Sequence, residues 1–176
     1  MRDEALIEEY EIELCDPACF PGASFWAAKA HIPNDVSEVM PYLNAILDRA
    51  FYSGDKQFIV WKDDERKYAL RPNELAVSLI LDRDQALELV EKAVDRINGI
   101  WERRDEITPD DTKRTPPKVL DILKLLPRTN CGDCGVQSCM AFAAELIEGN
   151  KRLEDCPYLL EDDNAEALQG LKDLGL

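Results

Sequence analysis

Residues 130–157 read NCGDCGVQSCMAFAAELIEGNKRLEDCP and hold four of the chain's six cysteines: Cys131, Cys134, Cys139 and Cys156. The spacing is C-x2-C-x4-C-x16-C, with Gly132 and Gly135 among the first three and Pro157 directly after the last. Three thiols within nine residues on a glycine-bearing loop can curl around a cubic cluster. Glycine permits positive φ and lets backbone N–H groups approach inorganic sulfur, and such contacts help set a cluster's potential. From about Ser138 to Glu148 the composition is helical, and Gly149 stands at a natural C-cap position. The chain is thereby carried away and back, so that Cys156 can close a fourth corner. Zinc also takes four cysteines, but its knuckles usually come as two C-x2-C pairs. Only one such pair is present, with no histidine nearby. The spacing favours an iron–sulfur cluster, with zinc second and uncoordinated thiols third.

Just upstream, KVLDILKLL (118–126) reads as a short amphipathic helix ended by Pro127, and DNAEALQGLKDLGL (163–176) as one more short helix. DEITPDDTKRTPP (105–117) is polar and carries three prolines, which marks a linker or an extended wrap. The expected division is an α+β domain over 1–104, a linker over 105–117 and a small helical cluster domain over 118–176.

Residues 1–104 carry both hydrophobic periods. Alternation in 5–14, and the apolar runs 24–32, 56–62, 67–71 and 74–81, predict strands, with DDER turning a hairpin between the third and fourth. Residues 34–50 place Val36, Val39, Met40, Leu43, Ile46 and Leu47 on one helical face, although Pro41 requires a fresh helix start there or a preceding turn. Residues 83–104 form the clearest helix, with a stripe from Ala86 to Trp101 that reads as core. The fold class predicted is α+β: a mainly antiparallel sheet with two helices on one face, followed by the helical iron–sulfur module.

Composition narrows the partners. The net charge is -15, with 25 acidic against 13 basic side chains in 1–112 and 11 against 8 in 113–176. Such a chain repels phosphate backbones, so nucleic acid is not the expected partner. An acidic surface suits solvation, or docking on a basic protein face. The first 14 residues are charged throughout, unlike a secretory signal, and no apolar run reaches membrane-span length. A cytoplasmic protein is the expectation. There thiols stay reduced, which argues against disulfides.

The segment LDILKLLPRTNCGDCGVQSCMAFAAELIEGNKRLEDCPYL resembles the iron–sulfur domain of the corrinoid iron–sulfur protein large subunit, which corresponds to the γ subunit of the acetyl-CoA decarbonylase/synthase complex. It also resembles the module in the B subunit of the Rnf complex. The likeness rests on Leu125-Leu126-Pro127, Asn130, the C-G-x-C-G core, both longer cysteine gaps, Phe142-Ala143, Gly149 and Cys156-Pro157. It covers roughly residues 118–160, about a quarter of the chain. The resemblance implies one [4Fe–4S] cluster on Cys131, Cys134, Cys139 and Cys156, passing single electrons at low potential in anaerobic metabolism. A redox protein, including a corrinoid protein, is the partner implied. The Asp-x-His-x-x-Gly cobalamin motif is absent, since the single histidine, His31, has Lys29 and Asn34 where Asp and Gly would stand. The further ferredoxin-type runs of the Rnf subunit are absent too. No family is recognised in residues 1–104.

Cys15 and Cys19, spaced x3 in CDPACFPGASFW, read as small buried hydrophobes, with a second site or redox pair as the alternative. The FPGAS loop beside them is a candidate pocket edge. His31 reads as a structural or surface residue, and Trp26, Trp61 and Trp101 as core or edge aromatics. No dinucleotide or phosphate-loop fingerprint and no Ser-His-Asp set is present. The expected function is non-enzymatic electron transfer. The alternative is a binding or scaffold module in which a cluster or zinc only staples the fold.

Overall fold

The computed structural model describes residues 5–16, 25–63 and 66–176. They fall into two compact units, Met1–Thr115 and Pro116–Leu176, each with its own buried core.

The first unit is a six-stranded antiparallel sheet of β1 (Glu11–Cys15), β2 (Trp26–His31), β3 (Phe51–Ser53), β4 (Phe58–Asp63), β5 (Arg66–Arg71) and β6 (Glu74–Ile80). The spatial order is β1-β2-β6-β5-β4-β3. Alternation decides which face is dry: Ala28, Ala30, Ile59, Trp61, Tyr68, Leu70, Leu75 and Val77 are buried, while their neighbours carry the charges. On that face α2 (Arg83–Glu102) packs against β1, β2 and β6, and α1 (Met40–Ile46) against β3, β4 and α2. The α2 stripe is core, with Ala86, Val90, Ala93, Val94, Ile97 and Ile100 all buried. The Asp82 side chain caps its start by accepting the Gln85 N–H at 2.8 Å, while Gln85 Oε1 accepts the Leu81 N–H at 2.9 Å. The α+β class and the one-sided helices are as the periodicities predict.

Local departures have local causes. The ladder begins at Glu11 rather than near residue 5, because the Asn98 side chain of α2 takes both the N–H and the C=O of Ile7, at 2.9 Å each. Pro41 sits in the first turn of α1, where a missing N–H costs nothing, after a 3-10 turn at Ser37–Val39. β3 is only three residues long, too short to leave a readable period. Opposite β2, a register shift in β6 accompanies a left-handed Leu79 (φ 56°), the signature of a bulge.

Residues 105–115, whose sequence suggests a linker or a wrap, are strapped to the first unit. Buried Asn44 donates from Nδ2 to the carbonyls of Asp110 (2.8 Å) and Thr112 (3.1 Å). Asp110 N–H bonds Pro41 O at 3.0 Å, and Tyr52 and Arg114 exchange backbone bonds at 3.0 Å each.

The second unit holds α3 (Val119–Leu125), α4 (Cys139–Glu148) and α5 (Ala165–Asp173), with 3-10 turns at Leu153–Asp155, Pro157–Leu160 and Asp162–Asn164. α3 packs against α4 and α5. A Cβ on Gly170 would stand 3.1 Å from Leu125 Cδ1, so the missing side chain lets α5 approach α3 closely. The core joins Ile122, Leu126, Phe142, Leu146, Leu153, Leu159 and Leu171, with Cys139 and Cys156 among its buried members.

Candidate metal centre

The first three cysteines sit on a loop shaped by left-handed residues. Arg128 (φ 59°), Asn130 (φ 52°), Gly132 (φ 82°) and Gly135 (φ 81°) all have positive φ. Asn tolerates that region better than most residues, and Gly enters it freely. The Gly135 N–H bonds Gly132 O at 2.8 Å and closes a tight turn around Asp133 and Cys134. At the far end Ser138 caps α4, its hydroxyl accepting the Ala141 N–H at 3.1 Å, so Cys139 becomes the first helical residue. Asn130 Oδ1 accepts the Cys139 N–H at 2.9 Å and ties the two ends of the loop together.

The fourth cysteine is returned by the end of α4. Gly149 is left-handed (φ 70°), and Asn150 and Lys151 donate their N–H groups to Glu145 O at 2.9 and 3.2 Å. Asp155 Oδ2 accepts the Arg152 N–H at 2.8 Å and starts the next turn. Buried Leu153 and Leu159 anchor the chain on either side of Cys156.

Exposure falls from Cys131, which is exposed, through half-buried Cys134, to Cys139 and Cys156 at 8% and 6%. Burial pushes the Cys156 thiol above its ordinary pKa; the backbone N–H groups of Leu159 and Tyr158 pull it back, and charge on Cys134 and Cys131 raises it again. Cys156 therefore lies within electrostatic reach of Cys134 and Cys131. All five described cysteines are free thiols. Among the described residues no three His, Cys, Asp or Glu side chains are gathered as they would be around one metal ion.

The residues present fit a thiolate-held cluster on the chemistry of the donors and the backbone of the loop. Four soft donors lie in one small unit, two of them in its core. The two loop glycines have the φ values that a side chain would strain against. The hydrogen-bonding role of Asn130 is not readable from the sequence, although Asn130 is part of the motif. The place of Lys151 is not readable either: its Nζ lies 3.2 Å from where a Cβ on Gly135 would be.

The other tempting residues belong to the first unit. Cys15 is half-buried on β1, its Sγ 3.4 Å from Ala27 O, and burial above all raises its pKa. Cys19 and the loop 20–24 lie outside the described residues. His31 Nε2 stands 3.0 Å from Glu13 Oε2, with both side chains more than half exposed. Trp61 stacks on Tyr68 with ring centres 5.3 Å apart. Trp101 meets Tyr42 edge-on and carries the Arg104 guanidinium over its ring at 4.5 Å. Trp26 is 44% exposed. Among the described residues no helix is long and apolar enough to cross a membrane.

Residues 126–158 match the family described as "Putative Fe-S cluster". The C-terminal segment is homologous to the acetyl-CoA decarbonylase/synthase complex subunit gamma. It is 54% identical over 44 residues to that of Methanothermobacter thermautotrophicus, covering 25% of this chain and 10% of the relative. With the Methanopyrus kandleri subunit the figures are 46% over 52 residues, 30% and 11%. The corrinoid/iron-sulfur protein large subunit of Moorella thermoacetica is 49% identical over 49 residues, covering 28% and 11%. The chain thus spans about a tenth of the length of these relatives. No solved structure matches. The likeness of residues 118–160 to these two subunits is borne out, and an iron–sulfur group is the cofactor it supports for this segment.

Proposed function

We propose that the chain is an electron-transfer protein carrying one low-potential [4Fe–4S] cluster on Cys131, Cys134, Cys139 and Cys156. The observation that carries the reading is the folding of C-x2-C-x4-C-x16-C into one small unit, where the loop is closed by Asn130 and Cys156 is returned against its core. A [4Fe–4S] group held by Cys131, Cys134, Cys139 and Cys156 would supply one-electron transfer between a donor and an acceptor. The protein's part is to hold and bury the group. Cys139 and Cys156 anchor it in the core, and exposed Cys131 marks the side open to a partner. The acidic surface adds a negative field, which disfavours the reduced state and lowers the potential.

The partner is a redox protein, with a corrinoid protein of anaerobic acetyl-CoA metabolism as the first candidate. The names of the relatives support this choice. The first unit serves to recognise that partner or a small ligand, in the reducing cytoplasm. The second reading is a binding or scaffold module whose cluster or zinc is only structural, and the burial of Cys139 and Cys156 favours it.

Anaerobic reconstitution with iron and sulfide, followed by EPR during a potential titration, separates the two. About four irons per chain and a reversible low-potential signal are expected. Stoichiometric zinc without such a signal ends the electron-transfer reading. Cys139→Ala should lose or convert the cluster and leave the first unit folded; a full [4Fe–4S] signal in that variant overturns the ligand set.

A further inference from the structure

The geometry points to Lys151 as the cation that sets the potential of the cluster site, an inference that rests on the cluster proposed for the four cysteines. Its Nζ lies 3.2 Å from the position a Cβ would take on Gly135, the residue directly after Cys134. Position 135 is where the loop has no side chain to hold an ammonium off. Lys151 is also not free to sit elsewhere along the backbone. Its N–H is bonded to Glu145 O at 3.2 Å in the α4 cap, and the Arg152 N–H that follows is taken by Asp155. The side chain is half-buried, and Lys151 makes no salt bridge with a described residue. Near the loop, Lys124 pairs with Asp121 at 2.8 Å, and Arg128 Nε donates to Leu123 O at 3.1 Å.

An electron arriving at the site adds one negative charge. A fixed positive charge beside the loop stabilises that state more than the oxidised one, and so raises the potential. Lys151 therefore opposes the field of the acidic surface, including Asp133 next to Cys134. Partial exposure means solvent screens the effect, so it is moderate and shrinks with salt.

The test is an EPR-monitored potential titration of the reconstituted full chain, with iron per chain measured alongside. Lys151→Gln should lower the reduced-to-oxidised ratio at a fixed potential about threefold, ~28 mV at about 59 mV per tenfold for one electron. Lys151→Glu should lower it further, and Lys151→Arg should restore it. Iron content and line shape should stay unchanged, and the difference should narrow in high salt. An unmoved midpoint in Lys151→Gln and Lys151→Glu with intact clusters overturns the inference and leaves the cluster reading standing. Loss of iron in Lys151→Gln also overturns it, because the lysine would then hold the loop rather than set the potential. A wild-type chain that assembles no cluster overturns both.

Discussion

Asn130 Oδ1 accepts the N–H of Cys139 at 2.9 Å across nine residues of chain. The bond joins the left-handed start of the cysteine loop to the first residue of α4, where the N–H has no partner within the helix. One side chain thus fixes the loop's size and satisfies a helix-end donor.

Asn130→Ala should therefore loosen the loop. Removing the acceptor from a half-buried N–H costs about 1–3 kcal/mol. The second unit should melt earlier, and reconstituted protein should lose iron to a chelator faster than wild type. An unchanged release rate would show that the cysteines close the loop without it.

Gly132→Ala tests the backbone directly. At φ 82° a Cβ is strained although the space around it is open, the nearest atom being Val136 O at 3.9 Å. A loss of about 1 kcal/mol is expected from the left-handed conformation alone. Thermal melts of the apo-protein read this, since strain in the loop does not need a bound group.

Cys15→Ser should leave iron per chain unchanged, because Cys15 lies on β1 within the sheet of the first unit and four thiols are already supplied by residues 131–156. A fall in iron after this change would mean that the ligand set draws on the first unit.

Asn44→Ala should release the strap. Asn44 is fully buried, and its Nδ2 serves the carbonyls of both Asp110 and Thr112. Losing it strands those acceptors and costs about 1–3 kcal/mol. Limited proteolysis should then cut within 105–115 faster, while cluster assembly in the second unit is retained.

The same strap should be acid-sensitive. The Asp110 carboxylate accepts from Thr112 and pairs with Arg114 at 2.7 Å, which holds its pKa below the usual value. A depressed carboxylate contributes stability that is present above its unfolded pKa and lost as pH falls through the folded one. The strap should hold down to about pH 4 and loosen below it. In Asp110→Asn the melting temperature of the first unit should depend less on pH in that range; an identical dependence would remove Asp110 as the cause.

The sequence by itself determined the elements and the chemistry of the cysteine segment. Two-residue and 3.6-residue periods mark the sheet and α2 because burial on one face leaves a local trace in apolar spacing. Cysteine spacing, glycines and the Cys-Pro end mark the metal segment because loop reach and ligand type are local properties as well. Tertiary structure alone decided what long-range polar bonds do. Asn98 takes both backbone groups of Ile7 ahead of β1, Asn44 turns a polar stretch into a strap, and Asn130 closes the cysteine loop. Lys151 comes to rest on Gly135 in the same way. Each is a single polar residue whose partner lies elsewhere in the chain, and an isolated Asn or Lys carries no periodicity that would announce it.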